Sequence, residues 1–265
     1  MDAEILHALP GIALERLDVG WTFVLLLMRH VTFLMIAPGV GGGMAGIVLR
    51  YPAAIVFSIA AFNIESVVPV PGDMGTMAIQ LLSEMILGAV IGIIPILIVA
   101  GAQSAGHVAS GTMGLNGAQL IDPTTQANLP DLARIYGDIA ILMFLLVDGH
   151  HVAIYQLSGM ESNIRPGSFV LGATGISTLV DQSAAIFHMG VMIAAPVIVA
   201  LLLTNFVLAI ISKAVPTVNI FIISFPLTIG VGLGLSMLAL PEAGHYISRQ
   251  FLGLQDLMSA VVSSQ

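Results

Sequence analysis

The chain is poor in charged residues, which make up only 8% of its 265 residues, whereas soluble domains carry about 25%. So few charges cannot form a water-facing surface, so lipid or other proteins must cover much of the chain. The net charge is −8 and there are seven lysines and arginines together, which argues against nucleic acid as a partner because its phosphates need clustered cations. There is no cysteine, which excludes disulfides, thiolate zinc sites and cysteine nucleophiles.

Hydrophobic residues, by contrast, make up 57% of the chain and form six long runs. Each run is near the ~20 residues that span a bilayer as a helix, and each is too long and continuous for the strands of an outer-membrane barrel. The sequence therefore predicts an all-α, polytopic, membrane-associated protein with one domain over residues 1–265. The runs are residues 21–37, 53–70, 77–102, 136–157, 184–211 and 218–240.

Two of these runs carry charges that make them poor membrane spans. Arg29 lies at the centre of the first run, beside His30, and Asp138 and Asp148 in the fourth run together cost roughly 5–7 kcal/mol in a lipid-exposed helix. Protein or water must therefore surround these groups. The cations divide equally between the two sides of six spans, so the positive-inside rule gives no orientation.

Small residues and prolines predict how the helices pack. Gly88 and Gly92 are four residues apart, and Gly106 begins a similar series, a spacing that lets helix backbones approach closely. Pro196 and Pro226 lie inside the fifth and sixth runs, where each removes a backbone donor and is predicted to kink its helix.

Two segments outside the apolar runs differ from them in composition. Residues 103–134 form a long segment that is more polar than the runs. Two interpretations fit it: an ordinary aqueous loop, or a segment folded back into a pore. The tail, residues 242–265, is amphipathic and fits a membrane surface or a docking partner equally well. Its apolar face consists of Ile247, Phe251, Leu254, Met258 and Val261.

The sequence Asp148-Gly149-His150-His151 places an acid and two histidines inside an apolar run. Neighbouring helical side chains point about 100° apart, so we expect the two histidines not to share a metal ion, and we predict no metal and no cofactor. Asp-Gly is a turn signal, which predicts a buried bend between helices over residues 136–147 and 150–157, with its polar groups bonded to neighbouring helices.

Chemical activity has little support in the sequence. The motifs GxSxG and GxxxxGK[ST] are absent, and we predict no catalytic residue and no enzyme. An intramembrane protease built from Ser, His and Asp residues on different helices is a lesser alternative. A proton relay through the buried Asp and His residues of a stand-alone secondary transporter or channel stays open as the alternative function.

Three motifs in unchanged order resemble those of the FliR-type export-gate proteins of flagellar and virulence type III secretion. The resemblance implies a non-catalytic gate subunit that assembles with FliP-type and FliQ-type subunits into a closed helical cone, much of it above the inner-membrane plane. It also implies FlhB-type and FlhA-type partners, unfolded export substrates, contact with membrane lipid, and a place in the bacterial inner membrane; the overall likeness favours the flagellar basal body. The motifs are MGLNGAQLIDP at 113–123, LPDLARIYGDIAILMFLLVDGHH at 129–151 and IISKAVPTVNIFIISFPLTIGVGLGL at 210–235.

The same resemblance implies roles for individual residues. The family's central loop is a plug inside the gate and falls here on about residues 107–123, where Gly117, Leu120 and Ile121 replace the phenylalanines often found before the Asp-Pro pair. The implied pore or plug residues are Met113, Gly114, Leu115, Gly117, Leu120 and Ile121. The implied structural-motif residues are Glu84, Gly88, Asp122, Pro123, Asp148, Gly149, His150, Pro196, Lys213, Pro216, Asn219, Phe221 and Pro226.

Overall fold

A computed structural model shows eight helices and no strand in the part of the chain that it describes, which confirms the all-α prediction. That part is residues 3–39, 43–62, 67–115, 132–158, 164–215 and 220–262, with side chains from residue 17 onward except at 43–45, 220 and 221. The helices are α1 (Ala3–Ile36), α2 (Gly43–Ala61), α3 (Met74–Met113), α4 (Leu132–Leu146), α5 (Gly149–Leu157), α6 (Ala173–Ala214), α7 (Ile220–Leu252) and α8 (Leu254–Val262).

Four helical stretches of the described chain are long and apolar enough to cross a membrane, rather than the six that the sequence predicted. The second run forms α2, whose apolar part Gly46–Ala61 is shorter, and the fourth run is divided between α4 and α5. The four stretches are Leu17–Ile36, Met74–Met113, Ala173–Ala214 and Ile222–Val262.

Helices α3 and α6 extend well beyond the apolar runs that predicted them. Helix α3 has 40 residues and α6 has 42, so each is about 60 Å long, twice the ~30 Å of a bilayer's hydrocarbon core. The interpretation of residues 103–113 as the start of a loop is wrong, because α3 continues through them. Small residues there are packed rather than exposed: the Ser110 hydroxyl donates to the Gly106 carbonyl at 2.7 Å, and Ser110 is buried.

The chain divides into two compact units. The first comprises residues 1–96, 148–180 and 253–265, and in it α1 packs on α2 while α5 packs on α8. The first part of α3 also lies against α1, because a Cβ added at Gly88 would collide with the carbonyl of Arg29, and one added at Gly92 would crowd Ile36. The predicted close helix packing at these two glycines is therefore confirmed.

The second unit comprises residues 97–147 and 181–252. In it α4 packs on α7, and Gly106 of α3 lies against the backbone of Ala133 of α4. Helices α6 and α7 continue past Pro196 and Pro226, so the kinks at those prolines stay a prediction. The single domain over the whole chain likewise stays a prediction.

The predicted apolar face of the tail is confirmed. All five of its residues are at most 2% exposed, whereas Arg249, Gln250 and Asp256 are exposed. The tail is not one helix, however, since α7 ends at Leu252 and α8 begins at Leu254 after a turn at Gly253.

Candidate functional site

A buried ion pair joins α1 and α3 in the first unit. Arg29 donates from Nε to one carboxylate oxygen of Glu84 at 2.5 Å and from Nη2 to the other at 3.0 Å, while its Nη1 donates to the Leu157 carbonyl at 3.0 Å. Both charged side chains are at most 1% exposed. Such a bidentate pair satisfies most of the donors of the guanidinium, which is what burial of a charge requires.

Glu84 also ties the segment before α6 to this pair. The backbone N–H of Gly167 donates to its Oε1 at 2.6 Å, and Gly167 has a φ of 78°, in the left-handed region that favours glycine. A neighbouring bond strengthens the contact, because the Ser83 hydroxyl donates to the Phe169 carbonyl at 2.8 Å. We call Arg29, Glu84, Leu157 and Gly167 the charge cluster.

Sequence reasoning identified Glu84 as a motif residue and Arg29 as a costly charge, but it did not pair them. The available signal was that two apolar runs each held one buried charge, and the two charges were of opposite sign. Intramembrane charges generally pair with one another, so this pairing could have been predicted.

The break predicted at Gly149 is confirmed, since α4 ends at Leu146 and α5 begins at Gly149. Asp148 precedes the new helix with φ 58° and ψ 24°, a left-handed conformation that few residues other than glycine adopt. The prediction that this bend is buried holds for Gly149, and His150 is half-buried, but it is wrong within the chain for the other two residues. The side chains of Asp148 and His151 are 70% and 71% exposed, because the turn directs the carboxylate outward and His151 Nδ1 bonds to it locally at 3.1 Å.

The turn also brings together side chains that we expected to diverge. One ligand atom from each of Asp148, His150 and His151 lies within 4.8 Å of the others, so the argument that the two histidines cannot converge is wrong. Burial, followed by the nearby charge of His151, lowers the pKa of His150 below its usual value of 6.5. His150 lies outside the four candidate membrane spans.

The end of α3 carries the predicted plug residues that the structure describes. Met113 is buried, its carbonyl accepts a bond from the Thr228 hydroxyl of α7 at 3.1 Å, and its side chain fills the space that a Cβ at Gly232 would need. Gly114 follows with φ 82°, which ends the helix, and it lies against the ring of Phe225. Thr228 and Gly232 lie within the third motif, but no pattern in the sequence predicted their contact with Met113.

The remaining predicted residues are distributed as follows. Lys213 is exposed in the last turn of α6, where a cation is favourable beside the helix C-terminus, and Pro196 and Pro226 are exposed. Leu115 is half-buried just after α3, and Phe221 lies in α7 with its side chain undescribed. The others fall outside the described residues: Gly117, Leu120, Ile121, Asp122, Pro123, Pro216 and Asn219.

Comparison with known proteins matches residues 21–254 to the model of "Bacterial export proteins, family 1". The chain is 30% identical over 180 residues to "Flagellar biosynthetic protein FliR" of Escherichia coli (strain K12), covering 68% of this chain and 69% of that protein. It is 27% identical over 223 residues to the protein of the same name from Caulobacter vibrioides, covering 83% and 88%. It is 24% identical over 247 residues to "Yop proteins translocation protein T" of Yersinia pestis, covering 91% and 94%.

The match to the family spans both compact units and includes the charge cluster, the turn at Asp148 and the contact of Met113 with α7. Each of these three alignments covers more than two thirds of the relative's own length. The chain therefore belongs to family 1 of the bacterial export proteins, to which the resemblance of its three motifs had pointed.

Proposed function

We propose that this chain is a non-catalytic subunit of a flagellar type III protein export gate. With FliP-type and FliQ-type subunits it forms the closed channel through which unfolded export substrates cross the bacterial inner membrane. It works beside FlhB-type and FlhA-type proteins in the flagellar basal body. Similarity to the FliR proteins named above supports the export role and favours the flagellar system over the virulence system.

The observation that carries this proposal is the length of apolar helix that the chain leaves uncovered. Helix α6 is about twice as long as a hydrocarbon core is thick, and only 28% of the residues in its most apolar stretch are buried within the chain. Its exposed side chains include Phe187, Leu202 and Phe206, each at least 63% exposed. Lipid can cover only part of such a helix, so other protein subunits supply the rest of the cover.

In this assembly we assign the plug to the segment that follows α3. Helix α3 ends at a fixed point, because Met113 is held by Thr228 and Gly232 of α7 and the left-handed Gly114 turns the chain away beside Phe225. A segment that begins from such a fixed helix end is suited to close a pore. Its aliphatic residues Leu120 and Ile121 form a less bulky constriction than phenylalanine would.

Assembly is tested by affinity purification of the full chain from cells that also produce its FliP-type and FliQ-type candidates. We expect the three proteins to elute together and the chain to be unstable when produced alone. A folded, monodisperse monomer that carries out substrate-dependent transport in liposomes would instead establish the stand-alone transporter.

The plug is tested by replacing residues 116–121 with a glycine-serine stretch of the same length, which leaves Met113 and Gly114 in place. We expect ion conductance of membranes containing the assembled gate to rise. The matched control is Leu252→Ser, at a 69% exposed leucine at the end of α7, which should leave conductance unchanged. Equal conductance of the plug variant and the wild type, at equal assembly, would contradict the assignment.

A further inference from the structure

The part of α3 that belongs to the second unit exposes a polar surface. Within residues 97–113 every exposed residue is either polar or a glycine, although the helix as a whole is apolar enough to cross a membrane. Three of these residues follow one another at intervals of four, so they form a row about 12 Å long on one side of the helix. The exposed residues are Gln103, His107, Gly111 and Thr112.

The other sides of this part of α3 are covered by three helices of the same unit. The Ser104 hydroxyl donates to the Ile186 carbonyl of α6 at 3.2 Å, and Gly106 lies against the backbone of Ala133 of α4. The carbonyl of Met113 accepts its bond from α7. The polar row therefore lies on the side of α3 that these contacts leave exposed.

Helix α4 continues this polar surface. The side chain of Gln103 lies over Gly137, because a Cβ added at Gly137 would come within 2.7 Å of Gln103 Nε2. Arg134 and Asp138 are both exposed, and they are four residues apart on the same face of α4. Their charges are of opposite sign, so together they add no net charge. We call this surface the polar stripe, and its residues are Gln103, His107, Gly111, Thr112, Arg134 and Asp138.

The exposed surface of α6 in the same unit is of the opposite kind. Leu202 and Phe206 are 63% and 65% exposed, and lipid or apolar protein can cover them. A histidine in a membrane-spanning stretch, such as His107 in α3, generally faces a protein interior or water. A partner helix packed on the polar stripe would have to bond to every one of its polar groups, whereas water does so without matched geometry. The composition of the polar stripe therefore indicates water.

The polar stripe also lies next to the plug in the sequence. Thr112 comes three residues before Leu115, and the segment to which we assign the plug follows at 116–121. Arg134 is in the first turn of α4, the next described helix. The two helices that connect to the plug thus both carry the polar stripe.

We propose that the polar stripe lines the water-filled passage beside the plug, and that unfolded export substrates slide along it. An unfolded chain exposes apolar side chains, which adhere to apolar surfaces. A wall without large apolar groups and with balanced charges gives such a chain little to adhere to, so it suits substrates of varied sequence. This inference rests on the proposed export role.

The chain contains no cysteine, which allows a direct test of contact with water. The variants His107→Cys and Gln103→Cys are each purified with the FliP-type and FliQ-type subunits and placed in lipid nanodiscs, where both ends of the gate are open to solution. A small sulfonated maleimide, which does not enter lipid, is added, and the mass of this chain measures labelling. The matched controls are Leu202→Cys and Phe206→Cys, at exposed positions of α6. We expect labelling of the two polar-stripe variants to be about tenfold faster or more, because a thiol in apolar surroundings ionises less.

A benzophenone amino acid at position 107 tests contact with the substrate. An export substrate of the same cell is fused to a tightly folded domain, so that it stops partway through the gate. We expect this substrate to cross-link to position 107, whereas the same amino acid at position 202 should not cross-link to it. Export by each variant without the fusion verifies that the gate is folded and assembled.

Two outcomes would overturn the inference and leave the export role intact. The first is equal labelling at positions 107 and 202 in a gate that assembles and exports. The second is cross-linking from position 107 to a partner subunit alone, which would mean that the subunit covers the polar stripe. Failure of the wild-type chain to co-purify with the two subunits would instead contradict the export role, and this inference with it.

Discussion

Arg29 and Glu84 are 55 residues apart in sequence and form a two-bond ion pair that is almost fully buried. The guanidinium and the carboxylate are each bonded a further time, by Leu157 and Gly167 respectively. Removing one partner from such a pair leaves a buried charge without compensation, which costs far more than the net contribution of the intact pair.

We therefore expect Glu84→Leu and Arg29→Leu each to destabilise the fold by about 3–5 kcal/mol. The double variant should lose less than the sum of the two, because it removes both charges together, although Gly167 would still lack an acceptor. The measurement is the thermal midpoint of the full chain with its partners, together with its abundance in membranes. Glu242→Gln and Arg249→Met, at exposed positions, are controls and should change little. Additive losses in the double variant would show that the two charges act independently.

The contact of α1 with α3 at Gly88 leads to a second prediction. A methyl group there would collide with the Arg29 carbonyl, so Gly88→Ala should lower stability by about 1–3 kcal/mol through overpacking. Gly230→Ala in α7 is the matched control, because nothing in the chain lies within 4 Å of the added Cβ. The change in thermal midpoint relative to the wild type should differ in sign or size between the two variants. Equal changes would mean that helix propensity, and not packing, determines the effect.

The left-handed conformation of Asp148 gives a third prediction. Asp148→Gly should be neutral or stabilising, whereas Asp148→Val should cost about 1–2 kcal/mol, because a branched side chain is strained at a φ of 58°. Assembly with the partner subunits, measured by co-purification, should follow the same order. Asp138→Val, at an exposed position inside α4, controls for loss of a carboxylate. If Asp148→Gly assembles normally, as expected, but also removes the pH dependence of export, the result favours the proton relay.

A fourth prediction concerns pH. Burial lowers the pKa of His150, so the fold favours its neutral form and the unfolded chain takes up a proton at a higher pH. Stability should therefore fall as the pH decreases below the usual value of 6.5, and His150→Gln should make stability less dependent on pH in that range. His245→Gln, at an exposed position in α7, should not have this effect. Unfolding midpoints measured between pH 7.5 and pH 5 test the difference, and an identical pH profile for His150→Gln and the wild type would contradict it.

Local signals in the sequence predicted several elements well. The Asp-Gly step predicted the break before α5, and helical spacing predicted all five buried residues of the tail. These features depend on residues within a few positions of one another, and local steric and hydrophobic rules determine them.

Features that depend on distant residues were predicted less well. The pairing of Arg29 with Glu84 and the contact of Met113 with Thr228 join positions far apart in sequence, where no local pattern identifies the partner. The exposure of Asp148 was also missed, because a left-handed residue redirects its side chain in a way that helical periodicity does not anticipate.

The residues of the charge cluster leave the ribosome at different times. Arg29 leaves the ribosome well before Glu84, and Gly167, which completes the bonding of Glu84, follows 83 residues later. At about 5–20 residues per second, translation needs about 4–17 s to pass from one to the other. During those seconds the nascent chain carries charges whose final bonds do not yet exist. Until the second half of the protein emerges, water, the insertion machinery or another subunit must therefore solvate these charges.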